Sequence, residues 1–176
     1  LQAYTGPKPL INSITAEKAR FDAVIPLVKE YNTSIIALCM DDSGMPETAD
    51  ACLKIADGLI NSLTKEGVAL SDIYIDPLVR PVSTGTHYGP VVLETIRRVM
   101  AEFPGVHTTC GLSNVSYGLP ARKLVNRTFL VAAIAAGLDS AILDPLDKVI
   151  MSLVYSAEVL VGKDEYCMNY LEAFRD

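Results

Sequence analysis

An α/β fold built on a parallel sheet is predicted by three features of the sequence. Short apolar runs recur along the chain, each followed by a longer stretch with helical spacing. The runs are continuously apolar rather than alternating, as suits parallel strands buried on both faces. They start at residues 9, 34, 72, 108 and 140, intervals of 25, 38, 36 and 32 residues, so a crossover helix fits between each pair.

The elements follow in order. The first strand is expected at 9–14 (PLINSI) and the first helix at 16–31, where Ala19, Ala23, Leu27 and Tyr31 recur at a spacing of four and Pro26 should bend the axis. A second strand at 34–40 (SIIALCM) leads to a helix at 47–66 stopped by Gly67. The third strand at 72–78 (DIYIDPL) precedes a helix at 90–103, ended by Pro104-Gly105. The fourth strand at 108–114 (TTCGLSN) precedes a helix at 120–136 that stops at Gly137. The fifth, at 140–144 (SAILD), is followed by helices at 147–161 and 164–174. No low-complexity linker interrupts this alternation, so residues 1–176 read as one domain.

Composition narrows the function. A chain of 176 residues can bury roughly 70% of its unfolded surface. Half of it is hydrophobic and 20% charged, with a mean hydropathy of +0.29, which excludes a disordered chain. The most apolar window, Thr128–Leu138, is too short for a membrane span. A net charge of −6 and scattered basic residues disfavour nucleic acid and anionic lipid as partners. Cys39, Cys52, Cys110 and Cys167 show no metal-ligand spacing, and a reduced, cytoplasmic protein without a metal is expected. There is neither a phosphate-cradling Walker loop nor a GxGxxG turn.

Asn12, Asp41, Asp76, Asn114 and Asp144 are all expected at or just past the C-terminal ends of strands, the rim that holds ligands in parallel α/β proteins. A rim of amides and carboxylates favours hydrogen bonds to a neutral heterocycle over phosphate binding.

Five segments carry a resemblance: INSIT (11–15), DPLVRP (76–81), GLSNVSYGLP (111–120), NRTFL (126–130) and GLDSAILDP (137–145). Together they resemble the pterin-binding methyltransferases, which move a methyl group from 5-methyltetrahydrofolate to the cobalt of a corrinoid (cobalamin-type) protein. The likeness is strongest to the methyltetrahydrofolate:corrinoid/iron–sulfur protein methyltransferases. The folate domain of cobalamin-dependent methionine synthase and dihydropteroate synthase are more distant. The resemblance implies a (β/α)8 TIM barrel, of which this chain supplies about the last five βα units, the fourth through the eighth. It also implies a homodimer with a corrinoid protein as methyl acceptor. A pterin-binding Asp that the family carries on its third strand has no counterpart here.

By this resemblance Asn114 hydrogen-bonds N5 of the pterin and activates it as a leaving group, while Asp76 and Asn12 anchor the ring edge. Arg122 and Ser113 line the pocket and Met40 packs on the ring face. The partner's Co(I) is the nucleophile, so the chain itself needs no metal and no nucleophile of its own. Each residue also has a plainer reading: a loop cap for Asn114, a turn for Asp76, a strand-end bond for Asn12, a solvated helix start for Arg122 and a core methionine for Met40. Asp41 reads as a loop residue, Asp144 as the cap of the final long helix, and His87 as a loop histidine that could face the partner. His107 belongs on the opposite rim. Two alternatives remain: a dihydropteroate synthase-like enzyme, and a noncatalytic pterin-binding fragment.

Overall fold

A computed structural model describes residues 1–175. Four parallel strands lie in sequential order: β1 (Leu10–Thr15), β2 (Ser34–Leu38), β3 (Ile73–Asp76) and β4 (His107–Thr108). Helices α1 (Lys18–Tyr31), α2 (Ala49–Lys65) and α3 (Tyr88–Glu102) connect them, and α4 (Arg122–Ala136), α5 (Lys148–Leu160) and α6 (Met168–Phe174) follow. The expected fifth strand is present as a short extended run beside β4. Ser140 and Ile142 donate N–H bonds to the carbonyls of Thr108 and Cys110, and Leu112 donates to Ile142. The result is five consecutive βα units, as the spacing of the apolar runs predicts.

Strand faces divide the chemistry. Ile35, Ala37, Ile73 and Ile75 point outward and form one core with Val24, Val28, Leu59, Leu63 and Val99 of α1–α3. A second core joins Ile96 of α3 to Leu130 and Ala133 of α4 and Ile150 and Ala157 of α5. Register aligns Asn12 with Ile36 and Tyr74, and Leu38 with Asp76. Since successive residues alternate, Asn12, Ile36, Leu38, Tyr74 and Asp76 share the opposite, inner face. β1 runs on to Thr15, so Asn12 stands in mid-strand rather than at its end.

Local signals explain the helix ends. Thr48 Oγ1 accepts the Ala51 N–H to start α2. Gly137 closes α4 with a φ of 113°, a left-handed value that only glycine adopts freely, and its N–H bonds to Ile134. Pro26 is accommodated inside a continuous α1. The cap of α5 is Asp147, whose carboxylate accepts the N–H groups of Val149 and Ile150; Asp144 instead accepts from Leu146 in the turn before it. Arg127 also pairs with Asp147 at 3.0 Å. Asp147→Ala removes the cap and leaves Arg127 without its partner. We expect a loss of about 2 kcal/mol in a denaturant melt.

The N-terminal rim is stitched by charge. Lys8 and Ser34 hold Asp72, and Asp139 takes His107 at 2.7 Å and the Thr108 N–H at 2.8 Å. His107 therefore lies on the rim away from the strand C-termini, stacked on Tyr74.

Candidate functional site

The C-terminal rim is built by the loops after β2, β3 and β4. Asp76 closes β3 and is 8% exposed. Its Oδ1 accepts the Leu78 N–H at 2.8 Å, the only hydrogen bond this carboxylate makes among the described residues. Leu78 adopts a φ of 63° to complete that tight turn. Burial raises the Asp76 carboxyl to about 6, with the Leu78 N–H opposing the shift and no cation contributing. Two buried thiols feel the same charge. Cys39 is pushed well above the usual thiol range and Cys110 up to about 12, in both cases mainly by burial, with the Asp76 carboxylate adding to it. Asp76 is thus an acceptor removed from water, with one oxygen uncommitted.

Asn114 lies on the tight turn Leu112–Ser116 that follows β4. The ladder carries this turn to the same rim, because Thr109 donates its N–H to the Ile75 carbonyl, next to Asp76. The Asn114 amide folds back over Gly111; a Cβ at 111 would stand 3.2 Å from Nδ2, so glycine provides the room the side chain uses. Arg122, the first residue of α4, grips the turn: its Nη2 donates to the Ser113 carbonyl at 2.7 Å and its Nε to Ser116 Oγ at 3.0 Å. Arg122 is therefore engaged by the loop that bears Asn114, and not a freely solvated helix start. The Ser113 side chain is exposed while its carbonyl receives Arg122. Met40 is half-buried just beyond β2, two residues past Leu38 of the inner face. Asn12 is exposed on β1, two strands from Asp76. Asp41 turns its own loop, accepting from the N–H and hydroxyl of Ser43, contacts that lower its carboxyl.

One rim cluster carries no sequence motif. Glu47, just before α2, receives Arg80 at 2.6 Å, Tyr88 at 3.2 Å and His87 at 3.3 Å, all three from the segment after β3. These contacts hold the Glu47 carboxyl below the usual range. Among the described residues no group of three or more His, Cys, Asp or Glu side chains could hold a metal ion, and no helix is long and apolar enough to cross a membrane.

Residues 1–144 match the family of pterin binding enzymes. The chain belongs to this family. A pterin-binding enzyme of this kind is a (β/α)8 barrel, and the five parallel βα units here form the corresponding part of its wall. The chain is 32% identical over 168 residues to the methylcorrinoid:tetrahydrofolate methyltransferase of Eubacterium limosum, covering 94% of the chain and 62% of that protein. It is 38% identical over 151 residues to the methionine synthase of Mycobacterium tuberculosis and 36% to that of Mycobacterium leprae, covering 79% of the chain but 13% and 12% of those proteins. The chain spans less than two thirds of the length of each of these relatives.

Proposed function

We propose that the chain carries the later half of a folate-dependent corrinoid methyltransferase, in which a methyl group moves between N5 of a tetrahydrofolate and the cobalt of a corrinoid protein. The observation that carries this reading is Asp76: a desolvated carboxylate with a free oxygen, on the same rim as the Asn114 amide. The edge of a pterin presents an amino group and a ring N–H, and a carboxylate accepts both at once. Asn12 on the inner face and Met40 just past the end of β2 supply a further amide and an apolar, polarisable surface for the flat ring.

The chemical difficulty is the leaving group. As a cobalt(I) nucleophile takes the methyl, the N5–methyl bond breaks and its electron pair stays on N5. A proton on N5, or a hydrogen bond that shortens as the pair localises, lowers that barrier. Asn114 is the donor suited to the task, and Arg122 holds its turn through Ser113 and Ser116. A bond stronger in the transition state than in the ground state accelerates the step without tightening substrate binding. The name of the Eubacterium relative describes transfer from methylcorrinoid to tetrahydrofolate. The same residues serve both directions, since forward and reverse steps share one transition state.

Mixing the intact protein with 5-methyltetrahydrofolate and a cobalt(I) corrinoid protein should produce methyl–cobalt(III), followed by absorbance. Mixing methylcorrinoid with tetrahydrofolate should run the step backwards. Pterin binding without transfer in either direction would leave only the noncatalytic reading. Condensation of a pterin pyrophosphate with p-aminobenzoate would favour the synthase instead.

A further inference from the structure

The segment between β3 and α3, residues 77–87, is tied on both flanks. On one side, its Arg80 and His87, with Tyr88 at the start of α3, converge on the single carboxylate of Glu47 in the preceding loop. The Arg80 guanidinium lies 3.8 Å over the Tyr88 ring, so the cation and the aromatic hydroxyl approach Glu47 as one unit. Gly85 makes this possible, because a Cβ there would stand 2.6 Å from the Tyr88 ring. On the other side, Val82 donates its N–H to the Val115 carbonyl at 3.0 Å, and Ser83 Oγ donates to the Tyr117 carbonyl at 2.7 Å. Val115 and Tyr117 flank Ser116 in the turn that bears Asn114. At its root the same segment begins with Asp76 and the Leu78 turn.

We propose that Glu47 is a positioning residue: by gripping Arg80, His87 and Tyr88 it fixes the loop after β3, and through Val82 and Ser83 that loop sets the Asn114 turn relative to Asp76. The loop acts as a strap with Asp76 at one end, Glu47 as its buckle, and the Asn114 turn as its load. Catalysis that depends on a donor meeting one ring atom is sensitive to displacements of an ångström or less. Glu47 and His87 are both largely exposed, and exposed ion pairs contribute little to stability. Loss of Glu47 should therefore leave the fold standing and loosen only the strap.

The kinetic arm of the test rests on the methyl transfer proposed above; the exchange arm does not. In Glu47→Ala, amide hydrogen exchange at Val82 should rise about tenfold or more, while Ile36 and Ile75 in the sheet keep their protection. Turnover should fall roughly tenfold to a hundredfold with the pterin KM little changed. Glu47→Gln, which keeps an acceptor for Arg80 and Tyr88, should recover part of that loss. Combined with Ser83→Ala, the kinetic losses should be less than additive, because both changes act through one strap. Unchanged exchange at Val82 in Glu47→Ala overturns the proposal. So does faster exchange throughout the sheet, which marks general destabilisation, or a looser loop with turnover unaffected. A wild-type protein that binds pterin but transfers no methyl group overturns the assigned function, while exchange at Val82 still decides whether Glu47 holds the loop.

Discussion

Replacing Asp76 with asparagine is expected to raise the melting temperature at neutral pH and to weaken pterin binding sharply. Burial lifts the Asp76 carboxyl from 3.8 to about 6 in the folded chain. A group whose folded value is raised favours the folded state most when protonated. That contribution is complete below the ordinary carboxylate range and is lost as pH rises through about 6. At pH 7 the ionised carboxylate therefore costs stability, at most about 3 kcal/mol for a shift of this size. Asparagine keeps an oxygen for the Leu78 N–H and carries no charge, so much of that cost disappears. For a chain of this length the gain corresponds to a rise of up to about 10 °C. Thermal melts across pH check the sign: the two proteins should converge below about pH 4, draw apart as pH rises, and keep a constant separation above about 6. An amide cannot accept two donors from a pterin edge through two oxygens, so affinity should fall at least about a hundredfold. Wild-type affinity should itself weaken as pH drops through about 6, where the acceptor becomes a protonated acid. A variant that gains stability and keeps its affinity would remove Asp76 from the site.

Asn114→Ala is expected to lower methyl transfer by roughly 10²–10³, the range found when one transition-state hydrogen-bond donor is removed. Equilibrium binding of 5-methyltetrahydrofolate should change by no more than a few-fold, because the N5 bond counts mainly after the methyl has begun to leave. The side chain is exposed and its neighbours on the turn are held by Arg122, so truncation leaves no buried group without a partner. Single-turnover absorbance measurements separate the two quantities. Equal losses in binding and rate would place Asn114 among the ring anchors instead.

The architecture was legible because continuous apolar runs and glycine stops are local signals. Gly67 and Gly137 end helices where the sequence predicts, and each long helix falls within two residues of its expected bounds. Asp76 and Asn114 stand out in the sequence as candidates because each lies in a segment with a strong family resemblance. What escaped depends on contacts distant in sequence. The fourth strand shrinks to His107–Thr108 because its continuation pairs with the run at Ser140–Ile142 only through a few bonds before Asn114 curls into its turn. Two aspartates precede α5, and only the three-dimensional path of the loop decides that Asp147 and not Asp144 meets the free N–H groups. Glu47 bears no motif at all; it matters because residues some 33 to 41 positions away arrive at its carboxylate.

The two thiols beside Asp76 offer a spectroscopic handle. Cys39 and Cys110 remain protonated at any physiological pH, because burial holds both far above neutrality. Their S–H stretches fall in a window of the infrared that the rest of a protein leaves transparent. Each bond sits in the field of the carboxylate, so its frequency should register whether that oxygen pair is charged, neutral or engaged by a guest. The chain thus contains a built-in voltmeter for the Asp76 carboxylate, readable without a label.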